Sequence, residues 1–95
     1  MILKFPKNFC WGTATSAYQV EGGIRNDWSV VGEKYDAGIA CDHYNRFEED
    51  FDLAKSMNNN AHRFSIEWAR IEPEEGKFDQ KEIEHYRKVI LALKQ

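Results

Sequence analysis

From Ala61 to Trp68 the chain alternates, with His62, Phe64, Ile66 and Trp68 on one side and Arg63, Ser65 and Glu67 on the other. A period of two belongs to a β-strand, whose successive side chains point to opposite faces. A second stretch, Phe9 to Thr15, carries Trp11, Thr13 and Thr15 and reads as a buried strand. Between the two, Tyr44, Phe47, Phe51 and Ala54 recur at helical spacing against Arg46, Glu49, Asp50 and Lys55, which predicts a helix from about His43 to Met57. Asp42 stands where a side chain can accept from a free amide at the helix start. Asn58, Asn59 and Asn60 follow, and after glycine asparagine best tolerates the left-handed backbone that ends a helix. Asp79 with Glu82 forms a capping box ahead of Ile83, Tyr86, Ile90 and Leu93, so the chain is expected to end inside a second helix.

Strand, helix, strand, helix at these spacings describes an α/β chain of parallel βα units, whose crossovers are right-handed. Two parallel strands alone leave sheet edges unpaired and apolar surface uncovered. A (β/α)₈ barrel closes eight strands over roughly 250 residues. The 95 residues, 1–95, are therefore expected to be the first two βα units of a TIM (β/α)₈ barrel, incomplete in this chain and part of a single domain. Gln19 to Ala40 has no sustained period and is punctuated by Gly22, Gly23, Gly32 and Gly38, which predicts a long loop between strand and helix.

Charge narrows the partners. The formal net charge is −3 and both signs are mixed along the chain, without the basic stripe that holds phosphate backbones, so no nucleic acid is expected. Met1 to Cys10 places Lys4 and Lys7 among its apolar residues, which fits neither a secretory signal nor a membrane span, and the default location is the cytoplasm. Cys10 and Cys41 lie far apart without ligand spacing, and His43, His62 and His85 share no pattern with them. No metal site is expected.

In parallel α/β folds ligands collect at the carboxyl ends of strands. That points to Gln19, just beyond the first strand, and to Arg63, on the second. A glutamine amide offers an acceptor and two donors, which suits neighbouring hydroxyls on a sugar ring, or equally the backbone of a loop. The alternation puts Arg63 on the face away from Phe64, the interior of a barrel, where an arginine needs a carboxylate. That pair could be catalytic support or a structural ion pair. Glu67 reads as solvated or paired, Asp42 as a cap and His43 as a residue that faces solvent or packs. The remaining acidic residues form solvated faces.

Three blocks carry a family resemblance. "FPKNFCWGTATSAYQVEGG" resembles the amino-terminal signature of glycoside hydrolase family 1, "CDHYNRFEEDFDLAKSM" its first barrel helix, and "NAHRFSIEWARIEP" its second strand. The blocks stand in the family's order and spacing from Phe5 to about Leu93. The resemblance implies a (β/α)₈ barrel, retaining hydrolysis of β-linked glucosides, galactosides or related sugars, and no metal or organic cofactor. Gln19 looks like the family's glutamine that binds hydroxyls of the sugar at the cleavage site. Arg63 looks like the arginine that holds the nucleophilic carboxylate ionised and oriented. Members carry their acid/base in an Asn-Glu-Pro motif and their nucleophile in a motif of the Glu-Asn-Gly type. Neither occurs in these 95 residues, so no catalytic residue is expected within them and the remainder of the barrel is required. A non-catalytic sugar-binding or interaction remnant is the alternative. The sequence departs from the family at Asn58 and Asn59, usually glycine and an aliphatic residue, at His62, often tyrosine, and at Trp28-Ser29, where tryptophan–aspartate is expected.

Overall fold

The computed structural model describes residues 2–95. The elements run β1 (Gly12–Ala14), α1 (Ala17–Val20), α2 (Asp27–Val31), a 3₁₀ turn (Glu33–Tyr35), α3 (His43–Ser56), β2 (Ala61–Arg63), α4 (Trp68–Ile71) and α5 (Gln80–Leu93). β1 and β2 pair in parallel, with Gly12 opposite Ala61, Thr13 opposite His62 and Ala14 opposite Arg63. This is an α/β arrangement in which a long helix, α3 or α5, follows each strand. Gly12 permits the pairing, because a Cβ there would lie 2.6 Å from the carbonyl oxygen of Ala61.

Both strands are shorter than their patterns. The stretch expected as a strand from Phe9 opens on a turn, where Phe9 N–H donates to the Pro6 carbonyl. Asn60 then fixes the entry to β1, accepting from Trp11 N–H at 2.8 Å. Trp11 is 48% exposed and forms a tilted aromatic cluster with Phe5 and Phe9 rather than a buried strand. Pairing in β2 stops at Arg63, although alternation runs on to Trp68. Glu67 diverts the chain there: its carboxylate accepts from Ala69 N–H and caps α4, leaving Trp68 on the helix and exposed. A local cap thus overrides a period of two that no further strand supports.

The helices follow the sequence more closely. α3 spans His43–Ser56, and Asn58 adopts φ +61°, the left-handed residue expected after it. Asp42 differs from expectation. Its own φ is +53° and its carboxylate caps no amide, accepting instead from the Asn45 side chain at 2.9 Å. Asp79 does cap α5, accepting from Lys81 and Glu82 N–H, but Glu82 does not return the bond; its carboxylate accepts from Tyr44 OH at 2.7 Å. α5 buries Tyr86 and Val89, while Ile90, expected on the buried face, is exposed. The segment expected as an irregular loop, Gln19 to Ala40, takes in the end of α1, all of α2 and the 3₁₀ turn. Asn26 caps α2 and exchanges bonds with Ser29, a capping box with serine in place of the usual acid.

Met1 lies outside the described residues, so the reading of Met1 to Cys10 can be followed only from Ile2. No helix among the described residues is long and apolar enough to cross a membrane.

Candidate functional site

The two residues singled out by the sequence sit at one end of the sheet. Arg63 closes β2, and one of its guanidinium nitrogens donates to the Thr15 carbonyl at 2.9 Å, just past the carboxyl end of β1. Thr15 N–H returns a bond to the Arg63 carbonyl at 2.9 Å. The next residue, Ser16, starts α1 and donates its hydroxyl to Gln19 Oε1 at 2.7 Å. Arg63 and Gln19 are thus linked through Thr15 and Ser16, and both are exposed. The Ser16 bond orients the Gln19 amide by its oxygen and leaves both N–H donors directed elsewhere. Among the described residues Arg63 forms no ion pair, so the carboxylate partner expected for it is not found within them.

Beneath this surface lies a network that the motif reading did not single out. Glu21, two residues after Gln19, is 4% exposed, the one charged residue buried among those described. Tyr86 OH donates to both of its oxygens, at 2.8 and 2.9 Å, and Arg70 Nε donates to Oε1 at 3.0 Å. Burial pushes the Glu21 carboxyl above its ordinary value, while the Tyr86 bond and the Arg70 charge oppose the shift. Burial and the adjacent Glu21 charge raise the Tyr86 phenol in turn. Arg70 extends a second nitrogen to the Gly22 carbonyl at 2.6 Å and lies 4.2 Å from the centre of the Tyr44 ring. Tyr44, desolvated and bonded to Glu82, has its phenol raised to about 12. No local spacing signals this network, because the partners of Glu21 lie 49 and 65 residues away in sequence.

Other acid or base candidates are occupied elsewhere. His43 Nδ1 lies 2.7 Å from Asp50 Oδ2 within α3, and Glu67 accepts from Asn26 and caps α4. A cleft of about 670 Å³ opens at the amino end of β2 among Lys55, Asn59, His62, Lys88 and Leu91, away from both candidates. No group of three or more metal-ligating side chains occurs among the described residues.

This arrangement can be compared with known proteins. The Glycosyl hydrolase family 1 model matches residues 1–95. The chain belongs to glycosyl hydrolase family 1. It is 39% identical over 105 residues to β-glucosidase A of Acetivibrio thermocellus, covering 96% of this chain and 23% of that protein. Among solved structures, a β-glycosidase from Pyrococcus horikoshii superposes with a TM-score of 0.88 at 46% identity, over 98% of this chain and 23% of that one. A mutant rice β-glucosidase in a covalent complex with Glc superposes with a TM-score of 0.83 at 42% identity, over 94% of this chain and 22% of that one. The chain therefore spans about a quarter of the length of these family members. Glycosyl hydrolase family 1 membership accounts for the three sequence blocks, and the segment matched contains both Gln19 and Arg63.

Proposed function

We propose that residues 1–95 form the first two βα units of a (β/α)₈ barrel in a retaining β-glycosidase that hydrolyses β-linked glycosides. The observation that carries this reading is the placement of Gln19 and Arg63 together at the carboxyl ends of two parallel strands, where barrel enzymes build their sites. In this reading the free amide donors of Gln19 hold sugar hydroxyls. The Arg63 guanidinium, now on a backbone carbonyl, faces a nucleophilic carboxylate from a later strand and keeps it ionised. Retaining hydrolysis needs two carboxyls about 5 to 5.5 Å apart, one attacking the anomeric carbon while the other protonates the leaving oxygen and then activates water. Neither family motif for these groups is present here, so the 95 residues supply binding and support while the remainder of the barrel supplies the chemistry. The covalent Glc complex of the rice relative fits a mechanism through a glycosyl-enzyme.

The test is a chimera in which these 95 residues replace the matching segment of the A. thermocellus β-glucosidase. It should hydrolyse an aryl β-glucoside, and proton NMR should show the β-anomer of the sugar formed first. A folded chimera that releases the α-anomer first, or does not turn over, would overturn the reading.

A further inference from the structure

The Glu21 network raises a question that its contribution to packing does not answer. A buried carboxylate held by an arginine and a tyrosine is weak evidence for stability, since well-packed apolar residues can replace such groups without loss. Buried ionic groups can instead fix one arrangement among several. What Glu21 fixes is readable from its partners. Its carboxylate takes Tyr86 of α5 and Arg70 of α4, its backbone carbonyl accepts from Tyr44 N–H of α3 at 3.3 Å, and its own N–H closes α1 on Ala17 at 2.9 Å. Arg70 adds the Gly22 carbonyl, and Tyr86 accepts from Glu67 N–H at 3.2 Å. Three helices thus converge on one residue at the end of α1.

α1 is a single turn, too short to hold its own shape in water. Residues two apart on a helix point to nearly opposite sides, so the turn that sinks Glu21 into the network presents Gln19 at the surface. At its start α1 is tied by Ala17 N–H, which donates to the Ser65 hydroxyl at 2.8 Å, while the Gln19 side chain itself is met by the Ser16 hydroxyl. The back is held by three directed bonds to the Glu21 carboxylate.

We propose that Glu21 is a positioning residue for substrate binding, acting through Gln19: the Arg70 and Tyr86 bonds to its carboxylate set the orientation of the turn that carries the Gln19 amide. This rests on the β-glycosidase reading above, because it takes Gln19 as a contact to sugar hydroxyls. The small polar shift that a loosened turn allows would misplace the amide, and contacts that strengthen in the transition state are the most sensitive to such error.

The experiment is a double-mutant cycle in the chimera. Glu21→Gln keeps the shape and an acceptor for Tyr86 but removes the charge facing Arg70, and Tyr86→Phe keeps the ring but removes the bifurcated bond. With Gln19 present, either variant should lower kcat/KM for an aryl β-glucoside by about tenfold, a coupling within the range of residues in one network. In the Gln19→Ala background the same change should lower it less than about twofold, since the group being positioned is already gone. The melting temperature should fall alike in both backgrounds, which separates positioning from stability. Equal losses of kcat/KM in both backgrounds, or no loss at a temperature where the variants are folded, would overturn the proposal. Tyr86→Phe keeps the test decisive if Glu21→Gln does not fold. An unmodified chimera without turnover would instead count against the β-glycosidase reading itself.

Discussion

Arg63 and Gln19 carry different parts of the chemistry proposed for this chain. Removing a cation beside a nucleophile raises that carboxylate's pKa and loosens its aim, so the attack step suffers. Arg63→Met in the chimera should lower kcat by on the order of a hundredfold or more, and Gln19→Ala should cost roughly 2 to 4 kcal/mol of transition-state binding. Steady-state kinetics beside thermal melts check both. An Arg63→Met enzyme with intact kcat and a lower melting temperature would make the arginine structural. The placement of both near strand ends was legible because each stands in a distinctive block. Glu21 was not, since its role depends on Arg70 and Tyr86, 49 and 65 residues away, which no local spacing relates to it. A further prediction concerns the two glycines after Glu21. Gly22 has φ +87° and a Cβ there would lie 2.1 Å from the Ile39 carbonyl oxygen, whereas Gly23, at φ +68°, has open space around it. Gly23→Ala should cost about 1 to 2 kcal/mol for the left-handed backbone alone, and Gly22→Ala more, because a backbone atom must also move. Urea midpoints of the two variants give the order, and equal costs would contradict the close approach.

The elements that sequence reasoning recovered best are those with many repeats of their period. α3 and α5, at 14 residues each, show several turns of helical spacing and are bounded by recognisable residues, Asn58 after α3 and Asp79 before α5. β1 and β2 were located but overextended, because alternation persists past the point where a partner strand ends. α1, α2 and α4 are four or five residues long, too short for a period to register. One consequence of packing at this scale is titratable. His62 shares a bond with Thr13, and His85 stacks on Tyr44 at 3.7 Å; each has a buried Nε2 without a partner among the described residues. Burial lowers both below the ordinary value of 6.5, with His43 repelling His62 as well. A histidine lowered on folding binds fewer protons folded than unfolded just below 6.5, so it stabilises less as the pH falls through that window. Glu21, raised on folding, works the other way at lower pH, gaining stability as it protonates. The melting temperature of the chimera should therefore fall between pH 7.5 and 5.5, and fall less in a His62→Tyr, His85→Phe variant. Parallel profiles would contradict the lowering of both histidines by burial.

At the scale of the whole molecule, the proposed barrel reading requires further strands to cover what these residues leave open. Its extents are 55 × 30 × 22 Å, with Phe5, Trp11, Trp28 and Trp68 exposed and two strands in its sheet. Alone, the 95 residues should aggregate or pack loosely, with a weak near-UV signal, because strand edges and apolar faces stay open. A sharp cooperative melt from a monomer would mark a self-sufficient domain. The most direct test of the central claim is a two-chain assay of aryl β-glucoside hydrolysis. The 95 residues would be refolded alone, and then together with the segment of the A. thermocellus β-glucosidase that follows the matched region. Neither chain alone should turn over, and together they should, with activity lost on Arg63→Met. Turnover by the 95 residues alone, abolished by changing one of their own acids, would contradict the account.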